Sequence, residues 1–177
     1  MKNEKAKINK KIGIRLVSGI CAVLWMMVIF MFSAQPADES SEISGRVSYR
    51  IVSGLDRVLQ MEKSRGELEQ AAEKIEFPVR KMAHMCEYAV LSLLFLALFY
   101  AGDAGEYSRL RGRPYMFSFF LTAVYAATDE FHQLFVPGRA GRILDVFTDS
   151  AGALIALLLA GFTIKIINKG ADRQTVR

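Results

Sequence analysis

Apolar positions along this chain come in long blocks. They do not follow the period of two, or of three to four, that marks the half-buried strands and helices of soluble domains. Leu16 to Phe32 is an uncharged run of the length at which a hydrophobic stretch becomes a membrane-spanning candidate. Three further runs follow at Tyr88 to Gly102, Tyr115 to Thr128 and Ser150 to Ile164. These are short for a helix that needs about 20 residues to cross the hydrocarbon. Each therefore borrows a polar turn: Met82 to Glu87 before the second, Asp129 to Leu134 after the third, and Ile143 to Asp149 before the fourth. The pattern predicts an all-α fold, an integral membrane four-helix bundle forming one domain over 1–177, with spans near 14–33, 82–101, 115–135 and 143–167.

Between the first two spans lies a long segment, 37–79, of different character. Ile43, Val47, Ile51 and Leu55 recur at helical spacing among Arg46, Tyr49, Arg50, Ser53 and Arg57, which predicts an amphipathic helix. Such a helix either lies along the membrane surface or packs on its neighbours. A second short helix is expected over Gly66 to Ile75, ending before Phe77-Pro78 because proline marks a boundary. No internal repeat or low-complexity tract interrupts the chain.

A hydrophobic content of 52% also suits a soluble domain, so it is the block arrangement that decides for a bilayer. The first run has the basic lead of a signal peptide (Lys2, Lys5, Lys7, Lys10, Lys11, Arg15). It is longer than an ordinary signal core, however, and Phe32 stands where a small residue is required, so it reads as a retained span. Basic residues near span ends stay cytoplasmic. The N-terminal lead, the Asp103 to Arg113 loop (Arg109, Arg111, Arg113) and the C-terminal tail (Lys165, Lys169, Arg173, Arg177) agree in placing both termini in the cytoplasm. The net charge of +5 is then a property of topology, and no nucleic-acid partner is expected. Cys21 and Cys86 show no metal-type spacing and read as buried apolar side chains.

With that topology, the three borrowed turns and the polar end of the first span, Phe32 to Pro36, all face outward. His84 and Glu87 are three apart, Asp129 has His132 three and Gln133 four residues on, and Asp145 and Asp149 are four apart, so each set shares a helix face. Gly152, Ala153, Ala156 and Ala160 continue the acidic face of the last helix with residues small enough for close helix approach, which points the acids into the bundle. Ionisable groups at membrane depth are costly and are functional candidates by default. The competing reading is a buried salt-bridge network in which Arg139 or Arg142 compensates Asp129, Glu130 or Asp145. It explains single pairs better than it explains why both histidines, several carboxylates and a Pro137-Gly138-Arg139 turn share one side.

These residues carry a resemblance. Phe32-Ser33-Ala34-Gln35-Pro36 closes the first span and His84-Met85-Cys86-Glu87-Tyr88 opens the second. Asp129-Glu130-Phe131-His132-Gln133 closes the third, and Pro137-Gly138-Arg139 precedes Asp145. In this order on four spans, the chain resembles the VanZ-like family of bacterial membrane proteins. The resemblance implies a four-helix protein of the cytoplasmic membrane, linked through the family's namesake to low-level teicoplanin resistance. It departs from the pattern at Thr148-Asp149, where an asparagine-bearing turn is expected, and this weakens the assignment of Asp149 relative to Asp145.

Two functions follow as expectations. In one, an outer polar site binds a cell-wall precursor, a lipid headgroup or a glycopeptide through Gln35, Tyr88, Gln133, Arg139 and Arg142, with Arg139 reading a phosphate or carboxylate bidentately. In the other, an outer-leaflet hydrolase or transferase acts on a lipid-linked substrate. His84 or His132 then serves as acid or base, and Glu87, Asp129, Glu130 and Asp145 orient it or hold a cation. No spacing reproduces a known metal motif, and neither the residues nor the resemblance names a cofactor. Transport fits poorly, since Leu91 to Phe99, Phe117 to Val124 and Leu154 to Ala160 are uncharged and no inverted repeat is present.

Overall fold

A computed structural model of the protein describes residues 2–100 and 113–175. Among these residues the chain is all-helical, with α1 over Lys2–Ser33, α2 over Ala37–Leu59, α3 over Arg65–Tyr100, α4 over Arg113–Gln133 and α5 over Ile143–Thr175. Arg109 and Arg111, on which part of the expected orientation rests, lie outside the described residues.

Among the described residues, three helices are long and apolar enough to cross a membrane: Glu4–Ser33 within α1, Arg65–Tyr100, and Ile143–Lys169 within α5. The expected third span is a helix, α4, but does not reach that apolar length, because Asp129, Glu130, His132 and Gln133 occupy its last turns. Its placement is nonetheless fixed at both ends. Near its start the Phe117 ring lies 6.1 Å from that of Phe99 on α3. At its far end Asp129 accepts a hydrogen bond from Ser33 at the end of α1.

α3 is the hub and packs against each of the other four helices. At about 1.5 Å per residue its 36 residues extend roughly 54 Å, well beyond the roughly 30 Å of a hydrocarbon core. The expected break before Pro78 does not occur, and the helix runs through the proline. Proline removes one intrahelical hydrogen bond and strains the preceding turn, a cost of about 3 kcal/mol. Two neighbours support the helix here: the apolar stretch that follows, and α2 packed along its N-terminal half.

The α2–α3 turn carries its own stop and start signals. Gln60 closes α2 in the left-handed conformation, with φ of 50°. The Ser64 hydroxyl accepts from the Glu67 amide while Glu67 accepts from the Ser64 amide at 2.9 Å, a reciprocal capping box. α2 packs on α3 through a serine face, with Ser44, Ser48 and Val52 buried. Ile43, Val47, Ile51 and Leu55 stay exposed.

Lipid tails are as apolar as leucine, so small residues and interhelical hydrogen bonds must hold such helices together. A core of Ala22, Ile29, Tyr88, Leu91 and Ala126 is crossed by two such bonds. The Trp25 indole donates to the Glu87 carbonyl at 2.8 Å, and the Tyr125 hydroxyl donates to the Met26 carbonyl at 2.6 Å. The small-residue face of α5 behaves as expected, with Gly152 and Ala153 buried against α3. Cys21 is only partly buried, and Cys86 is exposed on α3, contrary to the expectation that both are buried.

The turn between α4 and α5 returns on itself at Gly138, whose φ is +73° and where an added Cβ would lie 3.0 Å from the Ala37 Cβ. Gly138→Ala is expected to cost roughly 1–2 kcal/mol through the left-handed backbone alone. A lower unfolding midpoint of the detergent-solubilised chain, followed by Trp25 fluorescence, checks this.

Candidate functional site

The C-terminal ends of α1 and α4, the N-terminal ends of α2 and α5 and the middle of α3 meet at one end of the bundle. The backbone itself ties them, since the Ala37 amide donates to the Pro137 carbonyl at 3.2 Å. Arg139 completes the tie by donating from Nε to the Gln35 carbonyl at 3.0 Å and from Nη2 to the Phe32 carbonyl at 3.1 Å. Carbonyls at a helix C-terminus lack intrahelical partners and carry partial negative charge, so a guanidinium suits them.

A groove of about 220 Å³ opens here, walled by α1, α2, α3 and Arg139. Its polar lining includes Arg80, His84, Glu87 and Arg139, and its apolar lining includes Phe32, Ile43, Val47 and Val79. The two guanidiniums differ in their company. Arg80 is held by the Glu76 carboxylate and by the Ser41 and Ser44 hydroxyls, although its buried Nε has no partner. Arg139 has no carboxylate at ion-pair distance among the described residues. Burial, and next the neighbouring Arg80, hold its pKa below the usual arginine range. A half-buried cation with donors to spare can accept an anion, and the five N–H groups of arginine are more than the two carbonyls require.

His84 and Glu87 face the same groove, with Nδ1 and Oε2 3.5 Å apart. That is ion-pair distance, and the contact is ionic when the imidazole is protonated. It is too long or too poorly aligned for a hydrogen bond, and Glu87 Oε2 is buried without one.

Behind the groove lies a second, closed cluster. Ser33 donates to Asp129 Oδ2 at 2.9 Å, and Gln133 Nε2 donates to the Ser33 hydroxyl at 2.8 Å and to Asp129 Oδ2 at 3.3 Å. Asp129 is 3% exposed and Tyr88 fully buried, yet Asp129 Oδ1 and the Tyr88 hydroxyl both lack a hydrogen-bond partner. Asp149, doubted on sequence, is also 3% exposed. Such groups in an apolar bundle cost free energy that packing must offset.

The expected site residues thus separate into groups. Gln35, His84, Glu87 and Arg139 line the groove, while Tyr88, Asp129 and Gln133 sit in the closed cluster. His132 packs against Phe30 with the rings tilted and their centroids 4.4 Å apart, and its Nδ1 is buried and unpartnered. Glu130 accepts from the Arg142 backbone amide at 2.8 Å, and Asp145 pairs with Lys81 on α3. The salt-bridge reading is therefore corrected. Neither Arg139 nor Arg142 forms an ion pair with a carboxylate among the described residues, and the Arg142 side chain is exposed, so it contributes only its amide.

Arg80 is the groove residue that the sequence reading passed over. Its signal was present, because it lies one helical turn before His84 on the same face, but the expected span begins near 82 and leaves Arg80 outside it. No group of three or more His, Cys, Asp or Glu residues able to hold a metal ion occurs among the described residues.

Comparison with known families matches the family described as VanZ/LLP1 over residues 19–165, which takes in α2, α4 and the groove. No curated protein and no solved structure matches the chain.

Proposed function

The chain belongs to the VanZ/LLP1 family, and from that premise we propose that it is a multi-pass envelope protein that binds an anionic ligand in the groove between α1, α2 and α3 and so contributes to glycopeptide tolerance. The observation that carries this reading is Arg139, a half-buried guanidinium facing the groove with no carboxylate at ion-pair distance among the described residues. A phosphate or carboxylate from a cell-wall precursor, a lipid headgroup or a glycopeptide supplies that charge, and arginine's planar fork favours two-point contact.

In this reading the chain crosses the cytoplasmic membrane four times, with both termini inside and the groove outside. Support for α4 as the third crossing comes from its contacts at opposite ends of α3 and α1, with Phe117 beside Phe99 and Asp129 bonded to Ser33. Support for the orientation comes from the basic N-terminal lead and C-terminal tail.

A second reading, a hydrolase or transferase acting on a lipid-linked substrate, is favoured by one observation. His84 stands 3.5 Å from Glu87 in the same groove, placed to serve as an acid or base. Calorimetric titration of the purified full chain with glycerol 3-phosphate tests the first reading. Wild type is expected to bind, and Arg139→Gln to bind roughly tenfold or more weakly, the worth of a charge-assisted hydrogen bond. Binding that ignores Arg139 contradicts the proposal. Phosphate release that disappears in His84→Gln moves the case to the enzyme.

A further inference from the structure

The groove is two-faced, and its halves ask for different things. Arg80 and Arg139 lie on the polar side, whereas Phe32, Ile43, Val47 and Val79 present hydrocarbon to the same space. Phe32, Ile43 and Val47 remain 45%, 37% and 41% exposed, so α2 and α3 do not close over them. A wholly polar ligand leaves these walls wet, while a ligand with an alkyl part covers them and gains the free energy of apolar burial.

Size and position narrow the class. The groove's roughly 220 Å³ falls below the roughly 300–1,000 Å³ of sites that enclose a drug-sized molecule. It admits a charged headgroup and the first carbons attached to it, and not a whole glycopeptide. At its rim Phe32 stands one helical turn from Val28 and two from the exposed Leu24 on the same face of α1, a helix apolar enough to cross a bilayer. An alkyl chain leaving the groove over Phe32 therefore passes onto a lipid-facing surface without crossing water.

Resting on the anion-binding reading above, we infer that the ligand is an anionic lipid, held by its headgroup at Arg139 and Arg80 and by the start of its tail against Phe32, Ile43, Val47 and Val79. A soluble phosphate or carboxylate compound satisfies the cations alone. The lipid is distinguished from it by its contact with the apolar wall.

The chain has a single tryptophan, Trp25, which makes fluorescence at an introduced one readable by difference. Val47→Trp and, separately, Val79→Trp are placed in the full chain in phosphatidylcholine nanodiscs. They are titrated with phosphatidylglycerol or phosphatidylcholine brominated near the headgroup end of the tail. The expected result is saturable quenching by the phosphatidylglycerol at low mole fraction, at least about twice that by the phosphatidylcholine. The half-saturation point should rise roughly tenfold with Arg139→Gln, the effect of one lost charge-assisted contact.

Equal quenching by the two lipids shows the wall to be ordinary bilayer contact and overturns the inference. Arg139-dependent binding of glycerol 3-phosphate, without quenching by brominated phosphatidylglycerol at either position, also overturns it while leaving the anion site standing. Failure of both probes removes the anion site itself.

Discussion

Gly152→Leu is expected to abolish accumulation of the protein in the membrane. A Cβ at position 152 would sit 2.8 Å from the Met85 Cα and 2.9 Å from its carbonyl carbon, in contact with backbone that cannot rotate away as a side chain does. The helices must part instead. Parting pulls apart the Lys81–Asp145 ion pair and draws the Ser92 hydroxyl from the Ala153 carbonyl, two of the polar links between α3 and α5. In a bilayer little replaces that close packing, because lipid offers the separated faces an equally apolar environment. Gly152→Ala should be milder, near the roughly 1–3 kcal/mol typical of overpacking. Immunoblots of membrane fractions and the elution profile of the solubilised protein measure both. Wild-type levels and a monodisperse peak for Gly152→Leu would show that the α3–α5 approach is not as close as described.

Asp129→Asn should have the opposite character, leaving the fold intact while removing function. The carboxylate is 3% exposed, receives hydrogen bonds on Oδ2 from Ser33 and Gln133, has none on Oδ1, and lies beyond ion-pair distance of any described Lys or Arg. A buried carboxylate in that position costs stability. Asparagine keeps an acceptor for Ser33 and Gln133 and dispenses with the charge, so the unfolding midpoint should stay level or rise. Leucine removes the acceptor and orphans the Ser33 hydroxyl, while Gln133 still donates to Ser33, for a loss of about 1–3 kcal/mol. If the acid is retained for function, Asp129→Asn accumulates normally yet fails to restore glycopeptide tolerance to a deletion strain. Full complementation by Asp129→Asn would mark the acid as a structural accident.

Much of the architecture was legible because the bilayer imposes a coarse rule on sequence. Long apolar blocks mark helices, and loop charge assigns the polar turns at their ends to a side. That reasoning reached His84, Glu87 and Asp129 from their spacing, and Arg139 from the Pro137-Gly138-Arg139 turn beside them. It failed where a local signal was outweighed by packing. Pro78 reads as a stop in any short window, but α2 is held against the helix at Glu76 and Arg80, on either side of the proline, so α3 continues through it.

Partner choice was also hidden. Nothing in the spacing tells Asp145 to pair with Lys81 across two helices, or tells Arg142 to offer Glu130 its amide while its side chain faces out. The division of the polar residues into an open groove and a closed cluster depends on how α2 folds back on α3, which the amphipathic pattern of α2 left open.

The central claim is that the groove end of the bundle is a site and not only a clasp. The most direct measurement is glycopeptide susceptibility of a deletion strain complemented with wild type, His84→Gln, Glu87→Gln or Arg139→Lys, with membrane levels of each protein determined in parallel. Lysine at 139 can still donate to the Phe32 and Gln35 carbonyls but lacks the planar fork. The account predicts that all three variants accumulate to wild-type levels and leave the strain susceptible. Normal accumulation together with full restoration of tolerance would contradict it.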